Sequence, residues 1–247
     1  MAFLDRFRLR RPTPTPVTGP QVGPDAPADG TPVPPDARDA ERQAGPDAPT
    51  TGAGLAAGDV PEDVVESVVS GVRGGFRTRD EVLEAAHDRA AEVGFDRAVV
   101  TAYVDRAWAD RIAEQRTWPA TTDADRLDDA FAELDAGGVV ARMDFTCCQT
   151  CGVAEIDDEV RPGQEPVGYV FFHQQDSERL GDDDAVLLLS FGAFGIADAD
   201  AYEAAALAVG HRARAALERA GLTVDWPGTT SRRIAVTGLD WRRRLPA

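Results

Sequence analysis

The sequence has no lysine, only three cysteines and no long apolar run, and each shortage excludes a class of protein. Three cysteines in 247 residues cannot form the dense disulfide framework of a small secreted scaffold. No stretch approaches the roughly 20 apolar residues that a transmembrane helix needs, and no secretory signal follows the first residues. We therefore expect a soluble, cytoplasmic protein.

Basic residues are also scarce, since the sequence has 26 arginines and 43 acidic residues, and the formal net charge is −17. Proteins that bind nucleic acids in general carry a basic patch that displaces the counterions of the phosphates. We therefore expect no nucleic-acid partner. A partner, if the protein has one, is expected to be a protein or a small molecule, which the sequence does not identify.

Residues 1–58 differ in composition from the rest of the chain. They hold eleven of the 17 prolines and seven of the 23 glycines, with few large apolar side chains. Such a segment cannot bury enough surface to offset the entropy of ordering, so we predict a disordered tail. Within it, residues 1–11 combine an apolar face with four arginines, which predicts at most a weak contact with an anionic membrane.

Residues 59–137 carry four successive helical patterns. Thr78 with Glu81 three residues later has the spacing of a capping box, and Thr122 is placed to cap the last helix before the glycine pair at 137–138. Four helices joined by short loops predict a small helical bundle.

Residues 138–247 change to a mixed pattern. Short apolar runs rich in β-branched and aromatic residues predict strands, an alanine-rich segment predicts a helix, and the last strands form a hairpin. The order β-α-β-β-α-β-β favours a ferredoxin-like α/β sandwich with a mainly antiparallel sheet. We thus predict an α+β protein in which residues 59–137 and 138–247 form one compact unit.

All three cysteines fall within one segment of five residues, Cys147, Cys148 and Cys151. The C-x-x-C pair of Cys148 and Cys151 is a half-site for zinc, since thiolates are soft ligands. Cys147 is a candidate third ligand, although adjacent residues on a helix diverge by about 100°. His173, at the end of a predicted strand, is the candidate fourth ligand.

Two other interpretations of the cysteine cluster remain open. If Thr146 caps the following helix, Cys147 and Cys148 lie at its N-terminus, where backbone N–H groups favour the thiolate and hence redox chemistry. The zinc interpretation also has a weakness, because the chain lacks a second C-x-x-C, which a structural zinc site usually has. Reduced cysteines that merely pack the helix against the sheet are the third interpretation.

A polar run follows the predicted strand that ends at His173. His173 with Asp176 or Glu155 is a candidate pair for general acid–base chemistry, and Gln174 adds a hydrogen-bonding group. Strand ends often carry such sites, but a polar strand exit explains the same residues.

The blocks FTCCQTCG, GYVFFHQQDSE, LLLSFGAF and GLTVDWPGTTSRRIAV resemble those of a bacterial family whose shared domain has no known function. The resemblance covers roughly residues 60–242 and implies no activity. It implies that six residues belong to the shared pattern of the family: Cys147, Cys148, Cys151, His173, Gln174 and Asp176.

Two functional hypotheses follow from the sequence. The first is a non-enzymatic binding or regulatory protein, because no complete catalytic motif accompanies the well-patterned fold. The alternative is a thiol-redox or zinc-binding protein that uses the cysteine cluster together with His173.

Overall fold

The computed structural model describes residues 60–181 and 185–246. The predicted disordered tail, with its basic tip at residues 1–11, lies outside the described residues. Within them, no helix is long and apolar enough to cross a membrane.

The described part of the chain begins with three helices that pack on one another, α1 (Glu62–Gly74), α2 (Arg79–Glu92) and α3 (Arg97–Gln115). Valine and alanine side chains at helical spacing form their shared core, which consists of Val60, Val64, Val68, Val72, Val82, Ala86, Ala90, Val100 and Val104. The capping box predicted at Thr78 and Glu81 starts α2, with the Thr78 N–H donating to the Glu81 carboxylate over 2.7 Å.

Helix α4 (Asp123–Ala136) does not join this bundle. Thr122 caps it as predicted, together with Asp125, but its apolar residues Leu127, Phe131 and Leu134 belong to the core beneath the sheet. The bundle therefore has three helices, and the four-helix bundle predicted from the sequence is wrong. Helical spacing shows that α4 has an apolar face but not which surface that face covers.

Within the described residues the sheet has five strands, β1 (Val139–Arg142), β2 (Gly168–Phe171), β3 (Leu187–Ala193), β4 (Thr223–Asp225) and β5 (Ile234–Thr237). Their order is β1-β2-β3-β5-β4, and among these strands the pairing of β1 with β2 is parallel and the others are antiparallel. The mixed α+β class and the mainly antiparallel sheet are as predicted. The ferredoxin-like order is not, because that arrangement places another strand between the parallel strands of its βαβ unit, whereas β1 and β2 are direct neighbours.

Helices cover the two faces of the sheet unequally. The long helix α7 (Ala199–Arg219) and α4 pack on one face, over a core that includes Val170, Leu187, Leu189, Ile234 and Val236. The opposite face of β1 and β2 carries Val140, Tyr169 and Phe171. These residues pack against Ile156, in the single 3₁₀ turn Ile156–Glu159 that follows the short helix α5 (Gln149–Glu155). This smaller core supports the cysteine segment.

A second short helix, α6 (Gln174–Ser177), occupies the polar run after β2, where the sequence predicts a polar strand exit. His173 is its N-cap residue, and the backbone N–H of His173 donates to the Asp176 carboxylate over 3.3 Å. The short helix folds the polar residues back onto the end of the sheet.

Candidate functional site

The loop between β1 and α5 carries the first two cysteines and has an unusual backbone. Asp144 and Thr146 adopt left-handed conformations, with φ of 50° and 57°, which non-glycine residues rarely do. The loop continues beside the end of β2, since the Phe145 N–H donates to the Phe172 carbonyl over 2.9 Å and the Gln174 N–H to the Thr146 carbonyl over 3.1 Å. These tertiary bonds hold the strained residues in place.

Helix α5 begins later than the sequence predicts. Its N-cap residue is Cys148, in extended conformation with φ −153° and ψ 169°, whereas Thr146 lies outside the helix with its hydroxyl bonded to the Cys148 carbonyl over 3.2 Å. The redox interpretation depended on Thr146 as the cap of the helix, and Thr146 does not hold that position. Because Cys147 and Cys148 precede the helix, the divergence of adjacent helical residues does not apply to them.

The three sulfurs therefore converge. All three lie within 4.8 Å of one another, and the Sγ atoms of Cys147 and Cys151 share a hydrogen bond of 3.5 Å. Cys147 is exposed, while Cys148 and Cys151 are half-buried, and all three are free thiols. Within residues 60–181 and 185–246, no other histidine, cysteine or acidic side chain belongs to this group of ligand atoms.

The environments of the thiols differ in electrostatics. The pKa of Cys148 is lowered, chiefly because the backbone N–H of Cys151 faces its sulfur at the start of the helix, with a further contribution from the Cys151 side chain. The pKa of Cys151 is raised to about 12, first by hydrogen bonding with Cys147 and then with Cys148. The cluster therefore favours a single thiolate, which the neighbouring thiols stabilise through hydrogen bonds.

Gly152 sets the distance between α5 and the sheet. A Cβ atom at this position would lie 2.4 Å from Cε2 of Phe171, whose ring is fully buried in β2. Only glycine allows the helix to lie this close, and the preceding residue, Cys151, is thereby fixed over the sheet.

His173 lies outside the sulfur group and in a buried ionic network. Its Nε2 atom is 3.1 Å from Oδ2 of Asp176, and the guanidinium of Arg233 bonds the same carboxylate oxygen and the Leu188 carbonyl. The side chains of His173 and Asp176 are 6% and 9% exposed. The structure thus brings together His173 and Asp176, as the acid–base hypothesis required, but does not place His173 among the sulfur ligands.

The other predicted site residues have minor places. Gln174 is half-buried, and its backbone carbonyl accepts a hydrogen bond of 2.9 Å from the hydroxyl of Ser177. Glu155 is exposed at the end of α5, so the carboxylate that pairs with His173 is that of Asp176.

One member of the buried network, Arg233, is not among the site residues predicted from the sequence. Arg233 immediately precedes β5, whose first residue, Ile234, pairs with Leu189 of β3. Among the described residues, His173 Nδ1, Ser190 Oγ and Arg233 Nε are buried without a hydrogen-bond partner. The sequence feature that could have identified Arg233 is its position next to a buried strand. Its partner in the network, however, depends on the register between β3 and β5.

The comparisons with known proteins give a family and no activity. No curated protein and no solved structure matches the chain. Residues 58–245 match a family described as a domain of unknown function, DUF6891, which spans every described element and includes the cysteine cluster and the His173 network. The resemblance to a family whose shared domain has no known function is confirmed, and this chain belongs to the DUF6891 family.

Proposed function

We propose that this domain binds one zinc ion through Cys147, Cys148 and Cys151. The observation that carries the proposal is the convergence of three sulfurs within 4.8 Å of one another. A tetrahedral zinc ion with Zn–S bonds of about 2.3 Å separates its sulfurs by about 3.8 Å. The 3.5 Å between the sulfurs of Cys147 and Cys151 differs little from that separation, so binding needs only small side-chain movements.

The ligand type favours a soft or borderline metal. Three thiolates are strong ligands for zinc and poor ligands for magnesium or calcium, which prefer oxygen. The lowered pKa of Cys148 favours its thiolate, which is the form of cysteine that binds a metal. Free thiols of this kind persist in a reducing compartment, and we therefore propose a cytoplasmic location.

Three protein ligands leave the fourth position of a tetrahedral zinc ion free. Structural zinc sites normally use four protein ligands, whereas sites that bind a water or a substrate use three. His173 is held by Asp176 in the buried network, so the free position is available to water or to an external ligand. This arrangement distinguishes the proposed site from a closed zinc finger.

Metal content tests the proposal directly. Protein purified under reducing conditions with added zinc is expected to hold about one zinc ion per chain by elemental analysis. Cys148→Ser is expected to lose most of the bound zinc, because two thiolates and an open site bind zinc far more weakly than three thiolates.

A matched control variant lies on the same helix. Val153 is exposed on α5, and Val153→Ala is expected to retain the zinc of the wild-type protein. Cobalt substitution adds a spectroscopic readout, because thiolate-to-cobalt charge-transfer bands appear only when sulfur is bound to the metal. A reduced protein that contains no zinc, and whose three thiols all react freely with a thiol reagent in the presence of zinc, would disprove the site.

A further inference from the structure

The three cysteines of the cluster differ in their access to solvent. Cys147 is exposed, whereas Cys148, the N-cap residue of α5, and Cys151, in its first turn, are half-buried. A molecule that approaches from solvent therefore meets the sulfur of Cys147 first. Reactivity at a cysteine requires access of this kind.

The positions of Cys147 and Cys151 also favour a bond between them. Their sulfurs lie 3.5 Å apart, against about 2.05 Å in a disulfide, so closure requires a movement of roughly 1.5 Å. Cys147 is exposed in the loop before the helix, so its side chain can rotate, while the contact of Gly152 with Phe171 holds Cys151 over the sheet. The closure is therefore expected to move the Cys147 side chain and to leave the loop backbone and α5 in place.

We propose that the metal-free cluster performs thiol–disulfide exchange with small organic disulfides, with Cys147 as the attacking residue and Cys151 as the resolving residue. Cys147, as thiolate, attacks one sulfur of the external disulfide, forms a mixed disulfide and releases one thiolate. Cys151 loses its proton to solvent and attacks the sulfur of Cys147. A second thiolate leaves, and the Cys147–Cys151 disulfide remains. The two cysteines are oxidised by two electrons, and the external disulfide is reduced to two thiols.

Cys148 has a different role in this scheme. It remains a free thiol while two of the three proposed zinc ligands are consumed, so oxidation is expected to release the metal. Release of zinc rests on the proposed function, whereas the exchange itself does not. The cluster would thereby couple metal loading to the thiol–disulfide balance of its surroundings.

The experiment uses the full chain, stripped of metal by a chelator and treated with glutathione disulfide. The free thiol that remains is alkylated, and fragmentation mass spectrometry of the peptide that contains all three cysteines locates the alkyl group. We expect alkylated Cys148 and a Cys147–Cys151 disulfide in the wild-type protein. Cys151→Ser is expected to stop at glutathione bound to Cys147, and Cys148→Ser is expected still to form the Cys147–Cys151 disulfide. Val153→Ala, on the exposed side of α5, is the variant expected to form the disulfide as readily as the wild type.

The outcomes separate this proposal from the zinc site. A disulfide between Cys148 and Cys151, or failure of Cys148→Ser to form a disulfide, would overturn the assignment of the residues. Absence of any protein disulfide or mixed disulfide would overturn the activity. A reduced protein without zinc would disprove the proposed function alone, since the exchange is measured on metal-free protein.

Discussion

Gly152 allows the helix of the cysteine cluster to lie close to the sheet. An added Cβ atom would lie 2.4 Å from Cε2 of Phe171, and that ring is buried in the small core with Tyr169 and Ile156. We expect Gly152→Ala to reduce the free energy of unfolding by about 1–3 kcal/mol, the usual effect of overpacking a core. Urea denaturation measures this loss.

The same substitution has a consequence for the metal. Because α5 must move away from the sheet, Cys151 moves with it and zinc affinity is expected to fall in protein that remains folded. The control is Val153→Ala on the exposed side of the same helix, which should change stability by less than about 0.5 kcal/mol. Unchanged stability and zinc affinity in Gly152→Ala would show that the contact with Phe171 does not position the cluster.

At the scale of elements, the network of His173, Asp176 and Arg233 joins the end of β2, the helix α6 and the start of β5. Burial lowers the pKa of His173 below its ordinary value of 6.5, and Arg233 lowers it further while Asp176 opposes the change. The folded protein therefore keeps the ring neutral at a pH where the unfolded chain already binds a proton.

The sign of the pH dependence follows from this difference. Below pH 6.5 the unfolded state binds more protons at this histidine than the folded state does. The contribution of His173 to the free energy of unfolding is therefore fully present above pH 6.5 and is lost as the pH falls toward the pKa of the folded state. Urea denaturation at several pH values between about 5 and 8 measures the slope. His173→Gln keeps an N–H donor for Asp176 without titrating, so this variant should show a flatter slope.

A stability control separates titration from loss of contacts. His173→Ala removes a partner of the buried Asp176 carboxylate and is expected to cost about 1–3 kcal/mol even at high pH. The prediction is wrong if wild type and His173→Gln lose stability in parallel as the pH falls.

The sequence predicts well those structural elements that depend on residues close to one another in the chain. The caps at Thr78 and Thr122 depend on side chains three residues away, and both capping boxes are present in the structure. The start of α5 depends instead on hydrogen bonds between the loop and the residues after β2, which no local pattern contains. Thr146 is a good capping residue by type, but the tertiary bonds fix it in a left-handed conformation before the helix.

The candidate site divides in the same way. The cluster of cysteines is evident from sequence spacing alone, but their convergence requires the extended conformation of Cys148. The contact of Arg233 with Asp176 spans 57 positions and depends on how β3 pairs with β5. Register of this kind is determined by packing on the sheet faces rather than by the residues next to Arg233.

At the scale of the whole molecule, the C-terminal segment connects the helical bundle to the sheet. Arg243 pairs with Asp128 of α4 over 2.7 Å and lies 4.4 Å from the centre of the Phe76 ring, just beyond α1. Arg244 pairs with Asp125 over 2.8 Å and donates to the carbonyl of Pro119. Arg243 and Arg244 therefore pair with carboxylates inside the molecule.

Trp241 is the apolar centre of this connection. It is 7% exposed, packs beside Phe76, and donates its indole N–H to the carbonyl of Gly74 at the end of α1 over 3.2 Å. Trp241→Ala is expected to cost about 3–5 kcal/mol, as for other large-to-small changes in a core. Trp241→Phe keeps most of the buried area and loses the hydrogen bond, so about 1–2 kcal/mol is expected.

The position of Trp241 between two cores leads to a sharper prediction than the loss of free energy of unfolding in its variants. Because α1, α2 and α3 have their own core, weakening the connection should allow the bundle to unfold separately from the sheet. Urea denaturation, monitored by the circular dichroism of the helices and by the accessibility of the thiols of the cysteine cluster, should give one midpoint for the wild type and two for Trp241→Ala.

Zinc content should stay at the wild-type level in folded Trp241→Phe, since the cluster lies on the sheet side. A single shared midpoint in Trp241→Ala would show instead that the two cores fold as one cooperative unit without this residue.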